Sequence, residues 1–382
     1  MAEANQIGAG LLHGLRIAQL LESDGPGGAE NVVVFLSRAL QEAGAQVVAY
    51  VPRRGQGWLE QRLVGSGIEV EHFAIDRPFS PRFGRWLTDS FRDRRIDVAH
   101  SHEFTFAVYG AWAAWRRAIP HVITMHGGRY YAARWQRQLA LGLAARMTAG
   151  MVAVSPALQA HLMHDLRLAP GRVRVVPNGI PDSSLPDPGI RKALGLPADA
   201  RVVLAVGNLY PVKGHATLIG AMARLVTAHP TTHLLIAGRG ELHEELVALA
   251  NQLGVAPHVH LLGLRADIPA LLAAADLFVM PSLSEGLPIA ILEAMFSGTA
   301  IIASQVGAIG EALGDGSCGR LVPPGAVAEL AAALADLLSN PAQAAALGEQ
   351  ARRRARDNYS TEKMVEHYTT IYGELLGRVS AS

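Results

Sequence analysis

The chain has 382 residues, 50% hydrophobic and 18% charged, which excludes intrinsic disorder and gives material for two to three domains with sizeable cores. The net charge is only +1. No run of about 18 apolar residues lacks charges and breakers, so a spanning helix is not expected.

The N-terminus shows no basic segment followed by an apolar run and a small-residue cleavage site, so no secretory signal is read. The single Cys318 cannot form an internal disulfide. It fits a reducing cytoplasm and is expected to be a small buried hydrophobe. The charge is unevenly placed: residues 1–180 hold 20 Arg and 14 Asp or Glu, giving +6, and residues 181–382 hold 14 Lys or Arg and 19 Asp or Glu, giving −5. The first half is therefore expected to meet something anionic. Aromatic and basic residues do not interleave as in RNA-binding segments, and no nucleic-acid partner is expected.

In chain order, 15–21, 46–51, 97–101, 121–125 and 151–154 read as strands, with helical patterns at 29–43, 82–94, 104–117 and 130–147 between them. This alternation predicts a parallel sheet with right-handed crossovers. A stretch dense in turn formers, Pro177-Asn178-Gly179-Ile180-Pro181-Asp182-Ser183-Ser184, reads as a linker. The second half repeats the theme, with strands at 202–206, 233–237, 258–261, 276–280 and 300–303 and helices at 216–228, 242–253, 268–274 and 289–296. From about residue 327 the pattern is helical to 376. Two doubly wound α/β domains follow, over 1–179 and 180–360, with a last helix in 361–382.

Chemistry-bearing residues fall at the strand-to-helix turns. Gly25-Pro26-Gly27-Gly28-Ala29-Glu30 follows the first strand; glycines there admit close backbone approach, and a helix N-terminus favours an anion. The dinucleotide pattern G-x-G-x-x-G is absent, because Glu30 stands at the third glycine; this disfavours a dehydrogenase. Ile123-Thr124-Met125-His126-Gly127-Gly128 ends a strand. After it, Arg129-Tyr130-Tyr131-Ala132-Ala133-Arg134-Trp135-Gln136-Arg137-Gln138-Leu139 mixes arginines with aromatics. That helix either lies on an anionic membrane surface or packs on the sheet with its arginines solvated.

Val206-Gly207-Asn208-Leu209-Tyr210-Pro211-Val212-Lys213-Gly214 is the first such turn of the second half. Lys213 is one of only three lysines, with Lys192 and Lys363, and it precedes a helix N-terminus suited to phosphate. Gly238-Arg239-Gly240-Glu241 and Gly263-Leu264-Arg265 follow later strands. Ser282-Leu283-Ser284-Glu285-Gly286-Leu287-Pro288 then leads into Ile289-Ala290-Ile291-Leu292-Glu293-Ala294-Met295, an apolar helix opened by a proline and interrupted only by Glu293. A carboxylate on such a helix needs hydrogen-bond partners. Glu285 is expected in the loop and Glu293 two turns inside the helix, both near the carboxyl end of the preceding strand, where open α/β sheets bind ligands. A turn-forming Glu285 with a solvent-facing Glu293 is the plainer alternative.

Taken together, the glutamate pair, the Gly-Gly-x-Glu turn, Thr-x-His-Gly, Pro-Asn-Gly and Leu-Val-Pro-Pro-Gly resemble the motifs of family 4 of the retaining glycosyltransferases, over nearly the whole chain from about Leu15 to Leu376. The resemblance implies the GT-B architecture: two Rossmann-like domains, acceptor-binding first and nucleotide-sugar-binding second, with an interdomain cleft and a C-terminal helix crossing back onto the first. It implies that Glu285 lies by the donor sugar, with Gly286, Leu287 and Pro288 beside it, and that Glu293 holds the ribose hydroxyls. Gly27, Gly28 and Glu30 would lie near the donor phosphates and acceptor. His126 would approach the sugar, positioning substrate rather than acting as general base, and Lys213 would hold the diphosphate.

Gly238 resembles a turn near the nucleotide, and the Gly263, Leu264 and Arg265 backbone the place that receives the base. Ser304-Gln305-Val306-Gly307-Ala308-Ile309-Gly310-Glu311 resembles a later Gly-Gly-x-x-Glu turn with Ala308 at its second glycine, which makes Glu311 a weaker candidate. The family's usual form also has Arg five residues before the lysine; here Asn208 stands there, which weakens the expected clamp.

The resemblance implies hexose transfer from a nucleoside-diphosphate sugar, UDP or GDP, to a hydroxyl of a cell-surface glycan or lipid-linked acceptor, without metal or cofactor. Bacterial cell-envelope polysaccharide or lipopolysaccharide synthesis is the expected setting, in the cytoplasm or peripherally on the inner face of the membrane. A nucleotide-sugar epimerase on the same fold is the second enzyme reading. A non-catalytic nucleotide-sugar-binding subunit is the third, favoured by Asn208.

Overall fold

The structure, a computed structural model, describes residues 11–53, 55, 57–75, 79–127, 130–182 and 189–378. Gly128 and the linker residues Ser183 and Ser184 lie outside the described residues. The chain divides into two compact units, Met1–Pro181 with Tyr359–Ser382, and Asp182–Asn358.

Unit 1 is built on seven parallel strands: β1 (Arg16–Leu20), β2 (Gln46–Pro52), β3 (Glu69–Phe73), β4 (Val98–His102), β5 (His121–Met125), β6 (Gly150–Ala153) and β7 (Val173–Val175). Their order is β3-β2-β1-β4-β5-β6-β7. Unit 2 has six: β8 (Arg201–Val206), β9 (Thr232–Ala237), β10 (Val259–Gly263), β11 (Leu277–Met280), β12 (Ala300–Ser304) and β13 (Arg320–Val322), in the order β10-β9-β8-β11-β12-β13. Every pairing is parallel. The winding reverses once in each sheet, between β1 and β4 and between β8 and β11. At such switch points the loops leaving neighbouring strands diverge and open a crevice at the carboxyl edge.

The central strands are Val- and Ile-rich and buried on both faces, as helices on either side of a parallel sheet require. Helix starts are set by side chains: Ser80, Ser155 and Ser360 accept from the amides of Phe83, Leu158 and Lys363, and Pro81 and Pro156 follow the first two as first helical residues. Three strands escaped the sequence pattern. β3 reads Glu-Val-Glu-His-Phe and is an edge strand, while β7 and β13 have three residues each and also lie at sheet edges; none supplies a buried apolar run. The helices Trp58–Gly65 and Pro156–Leu166 were missed as well.

Two expectations are corrected. The segment read as one helix over 130–147 is a short 3-10 turn, Tyr130–Ala133, and a separate helix, Trp135–Met147, because Arg134 is extended. The helical tail is three helices, Val327–Ser339, Pro341–Asn358 and Thr361–Leu375, interrupted where Pro341 cannot continue a helix and where Ser360 caps a new one.

The last helix belongs to unit 1. It drives Tyr368 and Tyr372 into the core, where their hydroxyls meet Thr124 Oγ1 at 2.8 Å and His100 Nδ1 at 2.7 Å. Ile180 donates its amide to Tyr359, and Thr361 returns one to Ile180.

Candidate functional site

In unit 2, the turn after β8 holds Gly207 and Asn208, then a 3-10 turn, Pro211–Lys213, and the helix His215–Leu225. Gly214 stands between them in left-handed conformation, φ +67°, and a Cβ there would meet the Pro281 carbonyl at 2.1 Å. Only glycine brings the two loops together. This closeness carries Lys213 to the opposite side of the switch point: its Nζ donates to Glu285 Oε1 at 2.7 Å, and Ser282 Oγ donates to the same oxygen at 2.7 Å. Glu285 is in the loop after β11, as expected, with its side chain 9% exposed against 25% for Lys213.

The next loops are joined the same way. A Cβ on Gly238 would lie 1.9 Å from the Gly207 carbonyl, and one on Gly307 2.0 Å from that of Glu285. Ala308 donates its amide to Gly286, while Leu209 donates to Arg239 and accepts from Leu242. The loops after β8, β9, β11 and β12 thus form one backbone-to-backbone cluster. Leu287 is buried. Pro288 is the residue before the helix rather than its first residue, and Glu293 is the fifth residue of Ile289–Ser297; it lies one turn in, not the two expected. Its neighbours Ile291, Leu292, Ala294, Met295 and Phe296 are all buried.

Other candidates lie further from the pair. Gly263 ends β10 at φ +65°, and Leu264 is exposed. The Arg265 guanidinium is held by both oxygens of Asp267, at 2.8 and 2.6 Å. Glu311 is exposed, and its backbone carbonyl accepts from Arg354; it does not join the Lys213–Glu285 pair. Sequence reading passed over His215, which is buried directly after Gly214. Burial pushes its imidazole down to about 4, opposed by the Gly207 and Asn208 backbone. It sits beneath the turn that presents Asn208.

In unit 1, Gly27 precedes the helix Gly28–Glu42, and Glu30 folds back against it: a Cβ on Gly27 would lie 2.2 Å from Glu30 Oε2. The helix N-terminus expected to favour an anion thus already faces its own buried carboxylate.

On the other side of the switch point, β4 ends in His102 and Glu103 opens the next helix; both were missed because they fell between a strand and a helix in the sequence reading. The signal was there: the polar run His100-Ser101-His102-Glu103 closes a strand. Glu103 takes φ +63°, sparsely populated for a residue with a Cβ, and its Oε1 accepts from the His126 amide at 2.9 Å. Burial, reinforced by Glu30 and opposed by the His126 amide, pushes its carboxyl up to about 7.

His126 Nε2 lies 2.9 Å from His102 Nδ1, and His102 Nε2 lies 2.7 Å from Gln19 Oε1. With Gln19 Oε1 accepting, His102 carries its proton on Nε2, so its Nδ1 accepts from His126 Nε2–H and His126 Nδ1 remains an acceptor. Burial holds His126 at about 4, opposed by Asn178, and His102 well below the ordinary range. Both rings are neutral near pH 7, and so weakly basic a ring suits hydrogen-bonded positioning better than proton abstraction.

Two family models match the chain. Glycosyl transferases group 1 covers residues 187–354 and Glycosyltransferase Family 4 covers residues 26–184. The chain is 30% identical to an MMP alpha-(1->4)-mannosyltransferase of Mycolicibacterium hassiacum, over 81% of this chain and 77% of that protein. It is also 30% identical to a phosphatidyl-myo-inositol mannosyltransferase of Mycolicibacterium smegmatis, over 92% of each. Its fold is similar to that of HepE from Anabaena, solved with UDP and glucose: TM-score 0.83 and 24% identity over 96% of this chain and 100% of that one.

Proposed function

The chain belongs to glycosyltransferase family 4 and is a glycosyltransferase; from that premise we propose that it moves a hexose, with retention, from a nucleoside-diphosphate sugar to a hydroxyl of a cell-surface glycan or lipid-linked acceptor. The observation that carries this reading is the Lys213–Glu285 pair bridging the switch point of unit 2. In it an ammonium stands beside a helix N-terminus, where a diphosphate leaving group gains negative charge. The diphosphate would replace Glu285 as partner of Lys213, freeing that carboxylate to face the donor sugar. Asn208 and the amides opening His215–Leu225 would complete the phosphate site, and Glu293 would accept from the ribose.

Three named relatives or neighbours support the substrate classes: two are mannosyltransferases, one of them acting on phosphatidyl-myo-inositol, and one was solved with UDP and glucose. In unit 1, His126 Nδ1 would accept from a sugar hydroxyl. The reading takes front-face attack, with the leaving phosphate receiving the acceptor proton and neither metal nor cofactor taking part. UDP and GDP are the expected donor bases. The test is a thermal-shift screen of UDP, GDP, ADP and their sugars, in which a ligand of the native state raises stability by RT ln(1 + [L]/Kd). Release of nucleoside diphosphate with and without lysate glycans follows it. Binding without acceptor-stimulated release would instead favour the non-catalytic binding reading, for which Asn208 speaks.

A further inference from the structure

The helix Trp135–Met147 buries only part of its circumference. Leu141, Ala144 and Ala145 turn inward, while Trp135 is 69% exposed, Leu139 56%, Leu143 54% and Met147 44%. These four are spaced every four residues. At 100° per residue they fall at 0°, 40°, 80° and 120°, a continuous apolar arc that winds slowly along about 18 Å of helix. Four large apolar side chains aligned on one helix are not the scattered exposed hydrophobes of an ordinary surface. The only other residues in that arc are Gln136 and Arg146. The Arg146 guanidinium is turned along the surface onto the carbonyls of Gly142, Leu166 and Arg167.

The surroundings say what would cover this face. Between Glu103 and Asp165 the chain has no Asp or Glu, and it has six arginines: 116, 117, 129, 134, 137 and 146. On the neighbouring helix Glu103–Arg117, Trp115 is 62% exposed and followed by exposed Arg116 and Arg117. Arg134 is exposed at the start of the apolar arc. Tryptophan and leucine bordered by arginine, on a stretch of chain that carries no carboxylate of its own, match the boundary between anionic headgroups and acyl chains. A second copy of the chain fits poorly. A two-fold interface sets each patch on itself, which would bring the two arginine groups together, and the stretch 104–164 carries no acid to pair them.

We propose that the helix Trp135–Met147 is the surface by which this protein docks on an anionic lipid bilayer. Trp135, Leu139, Leu143 and Met147 enter the acyl boundary, and Arg116, Arg117 and Arg134 lie among the headgroups. The docking rests on the glycosyltransferase reading only for its purpose, access to a lipid-linked acceptor.

The experiment is sedimentation of the full chain with phosphatidylcholine vesicles, with and without phosphatidylglycerol, at low and high salt. Two variants are compared with wild type: Leu139→Ser with Leu143→Ser, and Arg116→Gln with Arg134→Gln. Wild type should bind the anionic vesicles, with the salt dependence of a charge-assisted contact. The leucine variant should lose roughly tenfold or more of that affinity, two leucines being withdrawn from apolar surroundings. The arginine variant should lose the preference for anionic lipid. All of these residues are exposed, so melting temperature and nucleoside-diphosphate affinity should be unchanged. Those two measurements report on the donor site separately from docking.

Equal vesicle binding by wild type and the leucine variant would overturn the proposal. So would equal binding of wild type to neutral and anionic vesicles, or a wild-type dimer that the leucine substitutions dissociate.

Discussion

Lys213 and Glu285 lie 72 positions apart in the chain and meet at 2.7 Å, joined across the point where the second sheet reverses its winding. The contact depends on a third residue. Gly214 lets the lysine turn approach the Pro281 carbonyl more closely than any side chain would allow. Ser282 bonds the same carboxylate oxygen, so Glu285 would keep one donor if Lys213 turned to a diphosphate, and the ammonium already stands at the switch point where leaving-group charge would develop.

Lys213→Ala should therefore lower turnover severely, toward the upper end of the roughly 10²–10³-fold, or about 3–4 kcal/mol, that removal of one pre-organised donor costs. It should also reduce stability by about 1–3 kcal/mol, since a largely buried carboxylate is left without its cation. Steady-state kinetics and urea unfolding check the two effects. Near-wild-type turnover would mean that another cation holds the phosphates.

The two glutamates should separate by function. Glu293→Gln should weaken nucleotide binding more than Glu285→Gln does, because a ribose needs an acceptor, while Glu285→Gln should mainly lower kcat. Calorimetry with the nucleoside diphosphate decides this, and equal affinity for wild type and Glu293→Gln would remove Glu293 from the donor site.

Much of this was legible in the sequence because the turns of a doubly wound sheet are written in Gly, Pro and charged residues. His126, Lys213 and Glu285 each end a strand-to-helix pattern, and all three lie at the carboxyl edge of their own sheet. What could not be read was pairing in space. No spacing rule links Lys213 to Glu285, and none announces that Glu30 folds onto Gly27. Glu103 was passed over because its backbone is strained, φ +63°, and local propensity does not anticipate a conformation that only the surrounding structure imposes. For Trp135–Met147 the sequence left a membrane-surface helix and one packed on the sheet both open, since its inner and outer faces are both apolar and only the fold shows which side is exposed.

The glycine contacts carry their own test. Gly238→Ala and Gly307→Ala would each push a methyl to within about 2 Å of a carbonyl in the adjoining loop, where neither backbone can yield without opening the cluster. Both should lower melting temperature and weaken nucleoside-diphosphate binding together. Gly65→Ala is the control. Its Cβ meets nothing within 4 Å and it lies in a helix, so a gain of roughly 0.5–1 kcal/mol is expected. Thermal melts with and without UDP compare the three; unchanged binding in Gly238→Ala and Gly307→Ala would separate the loop cluster from the nucleotide.

Buried ionisable groups in unit 1 set opposing pH dependences. His126, held at about 4, and His121, at about 3, stay neutral in the native state, whereas an unfolded histidine binds its proton near 6.5. Stability should therefore fall as pH drops from about 6.5 toward 4, by roughly 3 kcal/mol for His126 alone. Glu103 works the other way. Its carboxyl, raised to about 7, keeps its proton in the native state through a window where the unfolded chain has lost it. That contribution is complete below about 4.5 and lost as pH rises to about 7. Glu103→Gln, neutral at every pH, should become more stable than wild type, relative to their difference at pH 4, as pH approaches 7. Unfolding free energies at pH 4, 5.5 and 7 measure the difference, and parallel curves for the two proteins would show that the Glu103 carboxyl titrates alike in the native and unfolded chains.

Asn208 stands where the resemblance leads one to expect an arginine, and Asn208→Arg is the change that asks what the difference does. Asn208 lies in the turn above buried His215, one residue from Gly207, whose carbonyl the Gly238 backbone touches. A guanidinium placed there would join Lys213 at the phosphates and offer a planar pair of donors that the amide lacks. Binding of nucleoside diphosphate should tighten by tenfold or more, about 1.4 kcal/mol per tenfold. Turnover should not rise in step, because a diphosphate held more tightly leaves more slowly and release then limits the cycle. Pre-steady-state kinetics would show a burst of product followed by a slower steady rate. The double variant Asn208→Arg with Lys213→Ala should recover part of the activity lost with the lysine alone, since one cation is again present. If Asn208→Arg neither tightens the diphosphate nor rescues Lys213→Ala, the turn after β8 does not face the phosphates and the donor site must be placed elsewhere in the unit.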